Sequence, residues 1–141
     1  MTAARLAARC VDLLGTVEGS LAVTAPPAVR TVIGAHRPLA EDGAAAGLCV
    51  LTSAPAAQRG RELDAMAARL PEGAPLVVVD YNQPRAWWRR IIGVAALAAR
   101  GYPPARAREP VARDVQGHGF TVERLHLANG ERLQLIIARR R

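Results

Sequence analysis

The sequence contains no lysine: all 19 basic side chains are arginine, set against 12 carboxylates, for a net charge of +7 at pH 7. Aromatic residues make up only 4% of the chain, and there are only two cysteines. Each scarcity narrows the reading. With alanine filling much of the apolar quota, helices pack closely but bury little area per residue, so a modest core is expected. Cys10 and Cys49 are too few for a disulfide framework, and Cys49 falls inside an apolar run, which suggests two core thiols in a reducing compartment. No stretch of 18 or more unbroken apolar residues exists, so no membrane span and no membrane partner are expected. The opening MTAARLAAR lacks an apolar run followed by a small-residue cleavage site and does not read as a secretory signal. A cytoplasmic protein is expected. His118 and His126 show no metal-ligand spacing with each other or with the cysteines, so no metal is expected. A basic surplus can mark a nucleic-acid partner. Here the arginines are spread along the chain, apart from Arg139-Arg140-Arg141 and the cluster Trp87-Trp88-Arg89-Arg90. General solvation and a compositional bias account for them, and a nucleic-acid partner is not the favoured reading.

What is present is organised around Gly47 to Pro84. Leu48-Cys49-Val50-Leu51 and Leu76-Val77-Val78-Val79 are short continuous apolar runs, the pattern of strands covered on both faces in a parallel sheet. Between them Leu63, Met66, Ala67 and Leu70 recur at helical spacing, with Arg61, Glu62, Asp64 and Arg69 on the other side. Parallel strands need such a crossover helix. In open α/β sheets ligands bind beyond the carboxyl ends of the strands. Thr52-Ser53 and Asp80-Tyr81-Asn82 belong at that edge.

In the rest of the chain, residues 3–14 carry Leu6, Cys10, Leu13 and Leu14 at helical spacing, although Val11–Leu14 also fits a short strand. Gly15 to Gly19 permits a tight turn, and an element beginning near Ser20 stops at Pro26-Pro27. The β-branched run in Arg30–Gly34 reads as a strand, followed by a loop or one helical turn over residues 39–47. Pro84 suits a helix start, and residues 85–100 form a helix with Trp88, Ile91, Ile92, Ala95 and Ala99 along one face. Because adjacent helical positions diverge by about 100°, one of Trp87 and Trp88 is expected inside and the other over a pocket or a partner. A further helix over about 105–116 stops at Gly117-His118-Gly119. Phe120–Leu127 and Arg132–Ala138 flank Asn129-Gly130, whose two positive-φ positions make a type I′ turn and an antiparallel hairpin. The expected fold is a single α/β domain over residues 1–141. Its Rossmann-like, mostly parallel sheet carries helices on both faces and a C-terminal antiparallel hairpin.

With the hairpin in place, residues 47–138 resemble the class I S-adenosylmethionine-dependent methyltransferases. The apolar strand, its exposed helix and LPEGAPLVVVDYN look like the fourth strand, helix and fifth strand of that family. GFTVERLHLANGERLQLIIARR looks like its closing antiparallel pair. The resemblance implies a cofactor loop near the N-terminus. Gly15 and Gly19 keep the outer spacing of that loop, and Val17 stands where its middle glycine belongs. His36 stands about where the family places an acid that holds the ribose hydroxyls, so residues 1–46 are the atypical part.

On that resemblance, S-adenosylmethionine is the expected cofactor, contacted by Gly15, Gly19, His36, Thr52 and Ser53. Asp80, Tyr81, Asn82 and Trp87 would line a substrate pocket. No G-x-S-x-G elbow surrounds Ser53, and no catalytic residue is singled out. Two functions follow from the resemblance. One is methyl transfer to a small-molecule acceptor. The other is a non-catalytic methyltransferase-fold subunit or pseudo-enzyme, with a homodimer or a partner methyltransferase subunit as its setting.

Overall fold

The computed structural model describes residues 2–52, 54, 56–82, 87–99 and 111–141. Among them are five helices and five strands. In chain order these are α1 (Ala3–Leu14), β1 (Leu21–Thr24), α2 (Pro27–Gly34), β2 (Ala46–Val50), α3 (Ala56–Arg69), β3 (Pro75–Tyr81), α4 (Trp87–Ala98), α5 (Val111–Gly117), β4 (Phe120–Ala128) and β5 (Leu133–Arg140). The sheet order is β1-β2-β3-β5-β4. β1, β2 and β3 run parallel, β5 is antiparallel to β3, and β4 closes the hairpin at the edge. This is the α/β architecture expected from the sequence.

The apolar runs at the centre explain the layering. Every residue of β2 is buried, as are Leu76 through Asp80 of β3. Successive side chains point to opposite faces. Val77 and Val79 join Leu6, Cys10 and Leu14 of α1 and Val29 and Ile33 of α2 in one cluster. Leu76 and Val78 join Leu63 and Met66 of α3 and Val111 and Val115 of α5 in the other. Full burial of each such side chain contributes about 1.5–3 kcal/mol, so the β2–β3 strip contributes to the core through both of its faces. The two cysteines fall on opposite faces, both buried and free.

The connection between β1 and β2 sets where a ligand can bind. After α2 the chain passes the outer edge of β1. There Leu39 bridges Leu21 in parallel, with the Leu21 N–H donating to the Pro38 carbonyl and the Ala40 N–H donating to the Leu21 carbonyl, both at 2.9 Å. It then returns, with Ala44 buried in the α3-side cluster, to lay β2 on the inner side of β1. A strand position is thus reduced to one residue. The direction of winding reverses between β1 and β2, which is the switch point where open α/β sheets form their crevice.

Several elements depart from the sequence reading. Residues Arg30–Gly34 are helical, not extended. Pro27 opens α2 at a position where a missing N–H costs nothing, and Val29 and Ile33, four residues apart, bury one face. The helical reading of residues 3–14, by contrast, holds through Val11–Leu14: α1 spans Ala3–Leu14, and its N-terminus is capped by the Thr2 hydroxyl accepting from the Arg5 N–H at 3.3 Å. The hairpin turn carries the expected positive φ at Asn129 and Gly130, and Glu131 adds a third, so the paired ends Ala128 and Leu133 enclose four residues. Neither tryptophan is inside: Trp87 is 71% and Trp88 49% exposed. Ile91 and Ile92, which share the expected apolar face with Trp88, are exposed as well. The expected helix over 105–116 is seen from Val111 onward, and its earlier part lies outside the described residues.

Candidate functional site

At the carboxyl ends of β1 and β2, Thr24, Ala25 and Pro26 form one wall of a cavity of about 220 Å³. Val50, Leu51 and Ala54 line its base, and Gln58 and Glu62 from α3 form the facing wall. The two α3 residues are one helical turn apart, and the Gln58 amide donates to Glu62 Oε1 at 2.9 Å. Their common face presents an amide and a carboxylate to the crevice. Beneath them sits the Cys49 thiol, hydrogen-bonded to the Thr24 side chain. Burial, aided by the nearby Glu62 carboxylate, pushes that thiol up to about 12, against smaller lowering effects from Arg69 and Thr24. It is therefore neutral at pH 7 and no nucleophile.

The turn from β1 into α2 is Thr24-Ala25-Pro26-Pro27, without a glycine. Pro27 has no N–H, and the N–H groups of Val29 and Arg30 both donate to the Pro26 carbonyl, at 2.9 and 3.0 Å. The start of this helix is therefore poor in free donors, and a phosphate would find little there.

Beside the cavity, the end of β3 is held by a charged cluster. Arg59 of α3 donates to Asp80 Oδ2 at 3.1 Å, with both side chains almost fully buried. Its other terminal nitrogen lies 3.5 Å from Asp114 of α5. The second Asp80 oxygen accepts from the Tyr81 N–H at 2.7 Å. Asn82 donates from its side chain to the Glu131 carbonyl at 2.8 Å, and Gln134 donates to the Tyr81 carbonyl at 2.8 Å. The polar residues that end β3 thus tie α3, α5 and the hairpin turn to the carboxyl edge.

The expected site residues separate into two groups. Thr52 lies half-buried at the carboxyl end of β2, next to Leu51 of the cavity. Asp80, Tyr81 and Asn82 lie at the same edge on β3, with Asp80 enclosed by Arg59 and not presented to solvent. Ser53 lies outside the described residues. Gly15, Gly19 and His36 are at the other end of the sheet. Gly15 caps the C-terminus of α1 with φ 67°, and Gly19 precedes β1 with φ 111°. In a nucleotide-type crevice the turn follows the first strand, whereas this glycine pair comes before it. His36 follows α2 and is exposed. It borders a groove of about 420 Å³ between α1 and α2, together with Asp12, Val11, Val32 and alanines 4, 7 and 8. Val17, between the two glycines, packs on the core, and its carbonyl accepts from the Arg37 guanidinium. Trp87 stands exposed at the start of α4.

Thr24, Gln58 and Glu62 are cavity residues that the sequence reading did not single out. Two signals pointed to them: the double proline that converts a strand end into a helix start, and a Gln/Glu pair four residues apart on the polar side of the crossover helix. Among the described residues no group of three or more His, Cys, Asp or Glu side chains is placed to hold a metal ion. No described helix is long and apolar enough to cross a membrane.

No protein-family model matches the sequence, and no curated protein matches it. Solved structures do. The mitomycin 7-O-methyltransferase MmcR superposes with a TM-score of 0.63 over 99% of this chain and 53% of that one, at 18% identity. LepI in complex with S-adenosylmethionine gives 0.60 over 99% of this chain and 41% of that one, at 13% identity. A single-residue variant of LepI, solved with S-adenosylhomocysteine and a substrate analogue, gives 0.60 at 14% identity, again over 99% of this chain and 41% of that one. The chain therefore has a class I methyltransferase-like fold. It spans about half the length of these structures or less.

Proposed function

We propose that the chain is an S-adenosylmethionine-dependent methyltransferase-like domain whose ligand site is the carboxyl-edge cavity between β1 and β2, with a small molecule as the methyl acceptor. The observation that carries this reading is the position of the cavity. It lies at the winding reversal of a sheet with the class I methyltransferase-like arrangement, and its polar side chains, Thr24, Gln58 and Glu62, converge there from two elements. Part of the cofactor fits these residues. A carboxylate at Glu62 complements a sulfonium or ammonium group, and the Gln58 amide and Thr24 hydroxyl suit neutral hydroxyl or amide partners. The cofactor would supply an activated methyl group. The chain's own contribution would be to bind and align, because transfer between bound partners depends mainly on orientation.

A second reading is favoured by one observation. The β1–α2 turn carries Pro26-Pro27 in place of a glycine loop, and the cavity of about 220 Å³ is below the usual ligand-pocket range of about 300–1,000 Å³. This supports a non-catalytic methyltransferase-fold subunit or pseudo-enzyme that works beside a complete methyltransferase, either a homodimer mate or another protein. Calorimetric titration of the folded chain with S-adenosylhomocysteine separates the two. Saturable binding that weakens at least tenfold in Glu62→Ala supports the first reading. No heat at millimolar ligand from the folded chain alone overturns it and leaves the second.

A further inference from the structure

No described side chain of α4 takes part in either core cluster. Trp87, Trp88, Ile91 and Ile92 are 71%, 49%, 61% and 47% exposed. Ala95, Ala96 and Ala98 are also exposed, and Gly93 and Val94 are half-covered. At about 100° per residue, Trp87, Ile91, Ala95, Trp88 and Ile92 occupy one continuous arc of about 140°. Arg90 is exposed just outside that arc, beside Trp87. A helix turning two tryptophans and two isoleucines to solvent exposes a patch that a self-contained surface avoids.

The charge of the sequence that carries this helix indicates what covers it. Between Asp80 and Glu109 the sequence carries six arginines and no carboxylate, while the remaining 13 arginines and 12 carboxylates nearly cancel. Almost the whole net charge of +7 therefore belongs to the stretch that contains α4. The stretch offers a second copy of itself only further arginines and no carboxylate, so its sequence charge favours an anionic partner over self-association. Isoleucines among the tryptophans also make a poor platform for stacking bases. A surface that is apolar and anionic at once suits both features. Tryptophan rings favour the headgroup level, aliphatic side chains go below it, and arginines reach back to lipid phosphates. Twelve residues make a helix of about 18 Å, too short to span a bilayer but suited to lying along its surface.

We propose that α4 is an interfacial helix that docks this protein onto anionic lipid bilayers, with Trp87, Trp88, Ile91 and Ile92 inserted among the acyl chains near the headgroups. The inference is independent of what the carboxyl-edge cavity binds. Trp87 and Trp88 are the only two tryptophans in the chain, so tryptophan fluorescence reports on α4 alone. The test is titration of the full chain with phosphatidylserine/phosphatidylcholine vesicles and with pure phosphatidylcholine vesicles. The expected result is a blue-shifted emission and quenching by brominated lipid with the anionic vesicles only, reversed by raised salt. Ile91→Asp combined with Ile92→Asp, with an unchanged circular dichroism spectrum, should weaken partitioning at least tenfold. These side chains are solvent-exposed, so the substitution leaves both core clusters intact. An emission maximum unmoved by anionic vesicles at low salt overturns the proposal. So does a response to single-stranded oligonucleotide in the absence of any response to vesicles.

Discussion

Arg59 and Asp80 form an ion pair of 3.1 Å between α3 and the end of β3, with side-chain exposures of 5% and 2%. Few carboxylates are so enclosed unless paired. Removing one partner leaves the other charged and desolvated, so Asp80→Ala should cost about 3–5 kcal/mol. Asp114 also faces Arg59 but is 39% exposed, and Asp114→Ala should cost no more than about 1 kcal/mol. Replacing the buried pair together, as Arg59→Met with Asp80→Leu, should recover much of the loss. Urea unfolding of the parent and these three variants checks the ranking. If Asp80→Ala is as mild as Asp114→Ala, the pair does not hold the carboxyl edge in the way described.

Gly47 of β2 lies directly under the side chains that α3 and its C-terminal end turn to the sheet. A β-carbon there would meet Leu70 Cδ1 at 2.8 Å and Leu76 Cδ1 and Met66 Sδ at 2.9 Å. The helix α3 approaches the sheet over this glycine, and three fully or nearly buried side chains would have to move together. Gly47→Ala should therefore destabilise by about 1–3 kcal/mol, although alanine at an ordinary strand position otherwise helps. Gly73, with open space around it and φ 79°, is the contrasting case: Gly73→Ala costs through backbone strain and leaves the packing of α3 untouched. Thermal unfolding, with near-ultraviolet circular dichroism as a packing probe, distinguishes the two.

The same glycine shows why the central unit was legible from sequence. Leu48–Leu51 and Leu76–Val79 are uninterrupted apolar runs, and Leu63, Met66 and Leu70 keep helical period, so local pattern and tertiary position agree. The hairpin was legible because Asn129-Gly130 is conformational chemistry and needs no tertiary context. Arg30–Gly34 was misread because Thr31, Val32 and Ile33 are β-branched, while the burial of Val29 and Ile33 against α1 overrode that weak preference. Gly15 and Gly19 illustrate a different limit: spacing says nothing about whether a loop comes before or after a strand. Nor could composition reveal that Trp88 and Ile92 lie outside the core, since a helix with an apolar face reads alike whether that face is covered by its own chain or by something else.

Both cysteines should be silent in the folded protein. Burial raises Cys10 and Cys49 from an ordinary value of 9.0 to about 12. Well below pH 9 each thiol is protonated in both folded and unfolded states, so stability is unaffected. Between pH 9 and 12 the unfolded chain loses these protons and the folded one keeps them, so stability falls as pH rises. At pH 10.5 the loss is about 2 kcal/mol for each thiol. No lysine titrates in this window, which makes the alkaline limb easier to assign than usual. Urea midpoints at pH 7.5 and 10.5 should therefore differ, and the difference should shrink in Cys49→Ala. Reaction with a chromogenic disulfide at pH 8 should await unfolding. A rapid two-thiol reaction in the native protein would contradict the burial on which this rests.

The placement of Gly19 and Glu62 at opposite ends of the sheet makes a sharper test of where any ligand sits. Gly19 has φ 111°, and an added β-carbon would lie 2.9 Å from Ala45 Cβ. Gly19→Val should therefore lower stability whether or not a ligand binds nearby, so lost binding in that variant would say nothing about contact. Gly15 is a cleaner probe: it also has positive φ but nothing within 4 Å, and Gly15→Ala should fold with a penalty of about 1 kcal/mol. If the carboxyl-edge cavity takes the ligand, S-adenosylhomocysteine affinity in Gly15→Ala stays within about twofold of the parent. In Glu62→Ala and Gln58→Ala it falls at least tenfold, because hydrogen bonds to a charged group are worth about 1.5–3 kcal/mol. The reverse pattern, with Gly15→Ala impaired and Glu62→Ala unaffected, would move the site to the amino end of β1. That outcome would make the spacing of Gly15 and Gly19, and not the winding reversal at β1 and β2, the feature that matters.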